Sequence, residues 1–183
     1  MSSTYNTQND LLLNNLLEFY KKGDNMERMI KIINGESRTS LRIIDWFSTN
    51  YAKKYYTVYQ MEGNDKRFKV YNDYKLKLKA YSKRRFDPFC RWDRISIPYK
   101  ENTHIQTTIG QLNFFKWAIE NNVIDYISHN YAIIEKDMNN RNSTSKNRHV
   151  DNKNKTRKKR EELSVSASKS IKKEMVEIIM KFD

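Results

Sequence analysis

Only four glycines and two prolines punctuate 183 residues. Tight turns draw on those two residue types, so a chain this poor in them disfavours a many-stranded sandwich. Long helices with simple connections are the economical alternative. A hydrophobic content of 38% is low for a folded domain, but aromatics at 13% compensate, because each buries a large area. The expectation is an α+β fold: a helix-rich single domain with one or two small antiparallel β-hairpins and a disordered basic segment before the C-terminal end.

Periodicity divides the chain. Residues 1–9 are a polar, flexible start, and 10–138 form the globular domain. Asp10 is expected to cap a helix over 11–22, and a second helix follows over 26–34. Leu41, Ile44, Phe47 and Tyr51 recur at helical spacing behind hydroxyl caps at Ser37 or Ser40. Two β-prone runs, 56–61 and 67–71, flank Gly63-Asn64-Asp65 and read as a hairpin. A helix from Asn72 or Asp73 to about Arg85 is preferred over a strand, because Tyr71, Tyr74, Leu78 and Tyr81 hold the helical period. Short strands are expected at 94–99 and 104–107, and a helix capped by Thr107 or Thr108 follows, with Leu112, Phe115 and Ile119 inward. A last helix spans 123 to about 138, with Ile124, Ile127, Tyr131 and Ile134 inward. Residues 139–160 carry Val150 as their sole aliphatic and read as a disordered basic linker. In 161–183 Val176, Ile178, Met180 and Phe182 alternate, which allows a strand returning to the sheet.

Charge is distributed unevenly. Net charge is +13, and residues 66–100 alone carry +9, interleaved with eight aromatics, whereas residues 101–138 carry −3. A folded basic surface with stacking side chains fits nucleic acid. The candidate contacts are a helical stripe of Lys75, Lys79 and Lys83, then Arg84, Arg85, Arg91 and Arg94 around Phe89 and Trp92, and the run Arg157, Lys158, Lys159 and Arg160. The competing readings are a solvated helix face for the lysines, core packing for Phe89 and Trp92, and a solubilising tail for the last run. Gln111, Asn113 and Lys116, expected on the polar side of their helix, offer a weaker helix-turn-helix alternative that the local negative charge disfavours.

Catalytic signatures are missing from the sequence. It holds no glycine-rich phosphate loop, no H-E-x-x-H and no G-x-S-x-G, and its single cysteine, Cys90, has no histidine nearby in sequence. Asp45, Asp73, Asp87 and Asp93 are carboxylates without metal-ligand spacing. No enzyme activity, cofactor or metal is expected, nor any membrane span, and a reduced, intracellular setting follows from the lone cysteine and the lack of a signal segment.

Four blocks carry a resemblance: S-L-R-I-I-D-W-F-S-T-N-Y-A-K-K, V-Y-N-D-Y-K-L-K-L-K-A-Y-S-K-R-R-F-D-P-F-C-R-W-D-R-I, T-T-I-G-Q-L-N-F-F-K-W-A-I-E-N-N-V-I-D-Y-I and S-A-S-K-S-I-K-K-E-M-V-E-I-I-M-K-F-D. Together they resemble an uncharacterised family encoded by nucleocytoplasmic large DNA viruses, the giant viruses. The many Lys, Asn, Ile and Tyr, all with A/T-rich codons, suit such a genome. The resemblance implies a viral protein of the host cytoplasm (the viral factory) or the virion, with nuclear entry open through the basic run. It transfers no site residues. With the basic segment, it leads to an expected role as a nucleic-acid-binding protein in viral transcription or genome packaging, with DNA favoured over RNA. The alternative is a virion structural or assembly protein that meets an acidic viral protein.

Overall fold

The computed structural model describes residues 7–61, 67–90, 94–100, 103–150 and 173–175. Helix α1 (Gln8–Tyr20) starts two residues before Asp10. Thr7 is its N-cap, and Asp10 closes a capping box by accepting from the Thr7 backbone N–H at 2.9 Å. Those bonds hold the Asp10 carboxyl below its usual range. Helix α2 (Asn25–Ile33) buries Met29, Ile30 and Ile32.

Helix α3 (Leu41–Trp46) is capped by Ser40 and passes into a π-helical turn, Phe47–Tyr51, then α4 (Ala52–Lys54). The widened turn coincides with two hydroxyls bonded back one turn, Ser48 Oγ to the Ile44 carbonyl and Thr49 Oγ1 to that of Asp45. Such bonds compete with the backbone ladder and bend helices. The hairpin forms as expected: β1 (Val58–Gln60) pairs antiparallel with β2 (Arg67–Lys69), Tyr59 opposite Phe68.

Helix α5 (Val70–Phe86) follows directly, and Lys69 rather than Asn72 or Asp73 precedes it. It is kinked at Ser82, where φ is 64° and ψ 167°. Strands β3 (Arg94–Lys100) and β4 (Thr103–Thr108) pair antiparallel with Ile97 opposite Ile105. Thr108 caps α6 (Ile109–Glu120) through Gln111 N–H.

Helix α6 is the core of the molecule. Phe114, Phe115, Leu112 and Ala118 are fully buried and Trp117 nearly so, with α1, α2, α5 and α7 packed around it. The Tyr20 hydroxyl pins α1 to it, donating to the Leu112 carbonyl at 2.6 Å. Gln111 and Asn113 are buried as well, which corrects their expected place on a polar face. Each has a partner inside: Gln111 accepts from Thr107, and Asn113 donates to the Arg85 carbonyl at the C-terminal end of α5. Polar side chains enter a core when such bonds are available. A helix enclosed this way cannot lie in a DNA groove, and the helix-turn-helix alternative falls with it.

The helix expected over 123–138 is two helices, α7 (Val123–His129) and α8 (Tyr131–Val150), separated at Asn130. Ile124, Ile127 and Ile134 point inward as expected. Helix α8 continues well past Met138 into the stretch expected to be disordered. No glycine or proline interrupts it, and Arg141 anchors it by lying 5.3 Å over the Trp46 ring and donating to Asn50. Strand β5 (Lys173–Met175) pairs antiparallel with β4, so the C-terminal segment does return to the sheet. The alternating residues 176–182 lie outside the described residues. The α+β, helix-rich class with two small antiparallel sheets is the observed one.

Candidate nucleic-acid interface

The expected basic stripe does not persist along α5. Lys75 and Lys79 are exposed on one face, but the kink at Ser82 takes Lys83 out of their register. Arg84 and Arg94 are exposed, at the end of α5 and the start of β3. Arg85 is half-buried and committed to the start of α1, donating to Asn9 at 2.8 Å and Gln8 at 3.4 Å. Phe89 packs against the core, as its competing reading held. Arg91, Trp92, Arg157, Lys158, Lys159 and Arg160 lie outside the described residues. The arginine cluster is thus not assembled into one surface by the part of it that the structure describes.

Lys75 and Lys79 meet different partners. After α4 the chain turns at Tyr56, which adopts the left-handed conformation (φ 49°). Buried Thr57 clamps that corner: its N–H donates to the Ala52 carbonyl and its own carbonyl accepts from Val70 N–H. With its backbone held, the Tyr56 ring projects outward, 86% exposed. Next to it Val58 pairs with Lys69 across the hairpin. Tyr59 fixes the hairpin below, donating to the Asn121 carbonyl at 2.6 Å and stacking on Tyr126 with centroids 4.8 Å apart. Burial pushes the Tyr59 hydroxyl far above its ordinary range, so it stays a donor.

Two adjoining grooves result. One, of about 400 Å³, runs from Lys53 and Tyr56 across Val58 and Lys69 to Tyr71 and Asn72. The other, of about 630 Å³, shares Tyr71 and Asn72 and continues along α5 past Lys75 and Leu76 to Lys79. Lys53 Nζ stands 5.7 Å from the Tyr71 ring centroid, within cation–π range. Among the described residues neither groove is lined by an acid, and none of the four lysines is in an ion pair. Asp73, the one acid of α5, is turned inward to Trp117. Lys53, Tyr56, Lys69 and Tyr71 were not among the candidate contacts read from the sequence. The run Lys-Lys-Tyr-Tyr at 53–56, at the end of a helix, was the signal for the first two.

A second constellation lies at the opposite end of α5. Burial first and the Asp87 charge second raise the Asp45 carboxyl from 3.8 to about 7. Burial, then the same two carboxylates, pushes the Tyr74 hydroxyl far up. Asp87 also caps the turn after α5, accepting from Phe89 N–H at 2.9 Å. Asp73 is not part of this pair, and Asp93 lies outside the described residues. Among the described residues no three metal-ligating side chains gather. The pair has no metal-binding third member there.

Residues 3–181 match a family described as a family of unknown function (DUF7197), and the chain belongs to that family. A curated relative, an uncharacterized protein of Acanthamoeba polyphaga mimivirus, is 47% identical over 127 residues, or 66% of this chain and 48% of the relative. The chain therefore spans about half the length of that relative. The resemblance to an uncharacterised giant-virus family is borne out, and the match extends beyond the four blocks that carried it. No solved structure matches. Among the described residues no helix is long and apolar enough to cross a membrane.

Proposed function

We propose that this is a non-enzymatic nucleic-acid-binding protein of a large DNA virus, acting in transcription or genome packaging in the host cytoplasm or virion. The observation that carries the reading is the groove pair, where Lys53, Lys69, Lys75 and Lys79 line the grooves on either side of Tyr71. Four ammonium groups along grooves with no acid among their described lining residues attract a polyanion, and their contacts are made to phosphates rather than to base edges. Discrimination between sequences is accordingly modest. DNA is favoured over RNA on the giant-virus kinship alone, and the basic run 155–160 serves as an auxiliary arm.

A salt titration of binding to nucleic acid tests this. Four phosphate contacts give a log K against log salt slope of about −3 on single strands and roughly −3.6 on duplexes. Undetectable binding at ~50 mM salt, where such contacts are strongest, would instead leave an acidic viral protein as the partner of the groove.

A further inference from the structure

We infer that the groove takes unpaired nucleotides, with Tyr56 as the platform on which a base stacks. The inference rests on the nucleic-acid reading and adds the class of ligand. Its starting point is a side chain with no structural reason for its position. Tyr56 is a large aromatic, 86% exposed, at a left-handed backbone corner that costs a non-glycine residue energy. Its ring has no partner among the described aromatic contacts, whereas Tyr51 stacks on Phe47, Tyr59 stacks on Tyr126 and Tyr55 lies tilted against Tyr51. The strain is sustained by the two backbone bonds of Thr57, which hold the corner whatever side chain Tyr56 carries.

The surroundings of this ring suit a base more than a backbone. Val58 and Leu76 are 42% and 66% exposed, so the groove offers apolar surface between its charges. A duplex keeps its bases stacked on one another and presents phosphates to a surface such as this; apolar and aromatic floor then goes unused. A single strand can turn bases onto Tyr56, Tyr71 and Leu76 while Lys53, Lys69, Lys75 and Lys79 follow its phosphates. The Lys53 ammonium over the Tyr71 ring adds charge at the place where base and phosphate diverge.

The test uses the full chain and fluorescently labelled 30-nucleotide probes: oligo-dT, oligo-U and a mixed-sequence DNA duplex. Affinities are measured for the wild type, Tyr56→Ala and Tyr56→Trp, all shown to be folded by circular dichroism. The expected result is tighter binding of both single strands than of the duplex. Tyr56→Ala should weaken single-strand binding about tenfold, the lower part of the range for loss of one stacked base, and leave duplex binding unchanged. Tyr56→Trp should restore or exceed wild-type affinity. Equal binding of single strands and duplex, with no effect of Tyr56→Ala on either, overturns this inference while the nucleic-acid reading stands. Failure to bind any probe overturns both.

Discussion

Asp73 Oδ1 accepts a 2.7 Å hydrogen bond from Trp117 Nε1, and this one bond decides which face of α5 is purely basic. The carboxylate sits one residue from Asn72 and two from Lys75, close enough to have neutralised the groove. Tied to the indole on α6, it faces the core. Trp117 in turn lies among Tyr74, Phe86 and Phe114, with centroids within 6 Å of its own ring. Asp73→Ala leaves the indole N–H without its partner and should cost about 1–3 kcal/mol in urea unfolding. Asp73→Asn keeps an acceptor and should cost less. Equal loss from both would show that the carboxylate charge matters rather than the hydrogen bond.

Close approach of α5 to α6 depends on Gly110. A Cβ there would lie 2.8 Å from the Asp87 carbonyl oxygen and 3.1 Å from that of Arg84, both backbone atoms that cannot step aside alone. Gly110→Ala should therefore lower stability by roughly 1–3 kcal/mol, as overpacking does, despite alanine's better helix propensity. Thermal unfolding of the variant checks this; an unchanged or raised melting temperature would mean that the two helices can separate freely.

Asp45 gives the protein a pH dependence of definite sign. Its folded pKa, about 7, lies above its unfolded value of 3.8. Between those values the native state holds a proton that the unfolded chain has released, so stability falls as pH rises through this window and levels off above it. Asp45→Asn removes the effect. Relative to wild type the variant should gain about 2–4 kcal/mol between pH 4 and pH 8. Parallel stability curves for the two proteins across that range would contradict the assignment.

Much of this fold was legible because its signals were local. The pairing of β1 with β2, the Ser40 and Thr108 caps and the inward Ile124, Ile127 and Ile134 all follow from neighbours within one or two turns. The errors came where distant residues decide. Gln111 and Asn113 look like a polar helix face until Thr107 and the end of α5 supply their partners. The stripe Lys75–Lys79–Lys83 is regular in sequence, and only the backbone at Ser82 breaks it. Helix α8 runs through a polar stretch with no apolar pattern of its own. At the candidate site, the charge of 66–100 pointed to the right region, and Lys75 and Lys79 are in the groove. Lys53 and Tyr56 join them through the corner at Thr57, a tertiary arrangement that no spacing rule contains.

The central claim is that the groove, rather than the C-terminal basic run, carries the binding. Two charge-matched variants put this directly: Lys53→Gln with Lys75→Gln and Lys79→Gln in the groove, and Arg157→Gln with Lys158→Gln and Lys159→Gln in the run. Each loses three positive charges. The groove lysines are carried on α4, β2 and α5, whose backbone is ordered before binding, so the groove variant should weaken more. Measured by fluorescence anisotropy on oligo-dT across a salt series, it should lose at least about tenfold in affinity at ~50 mM salt and flatten the log–log slope by about 2. The run variant should lose less in both respects. Full affinity and slope in the groove variant, with binding abolished in the run variant, would contradict the account.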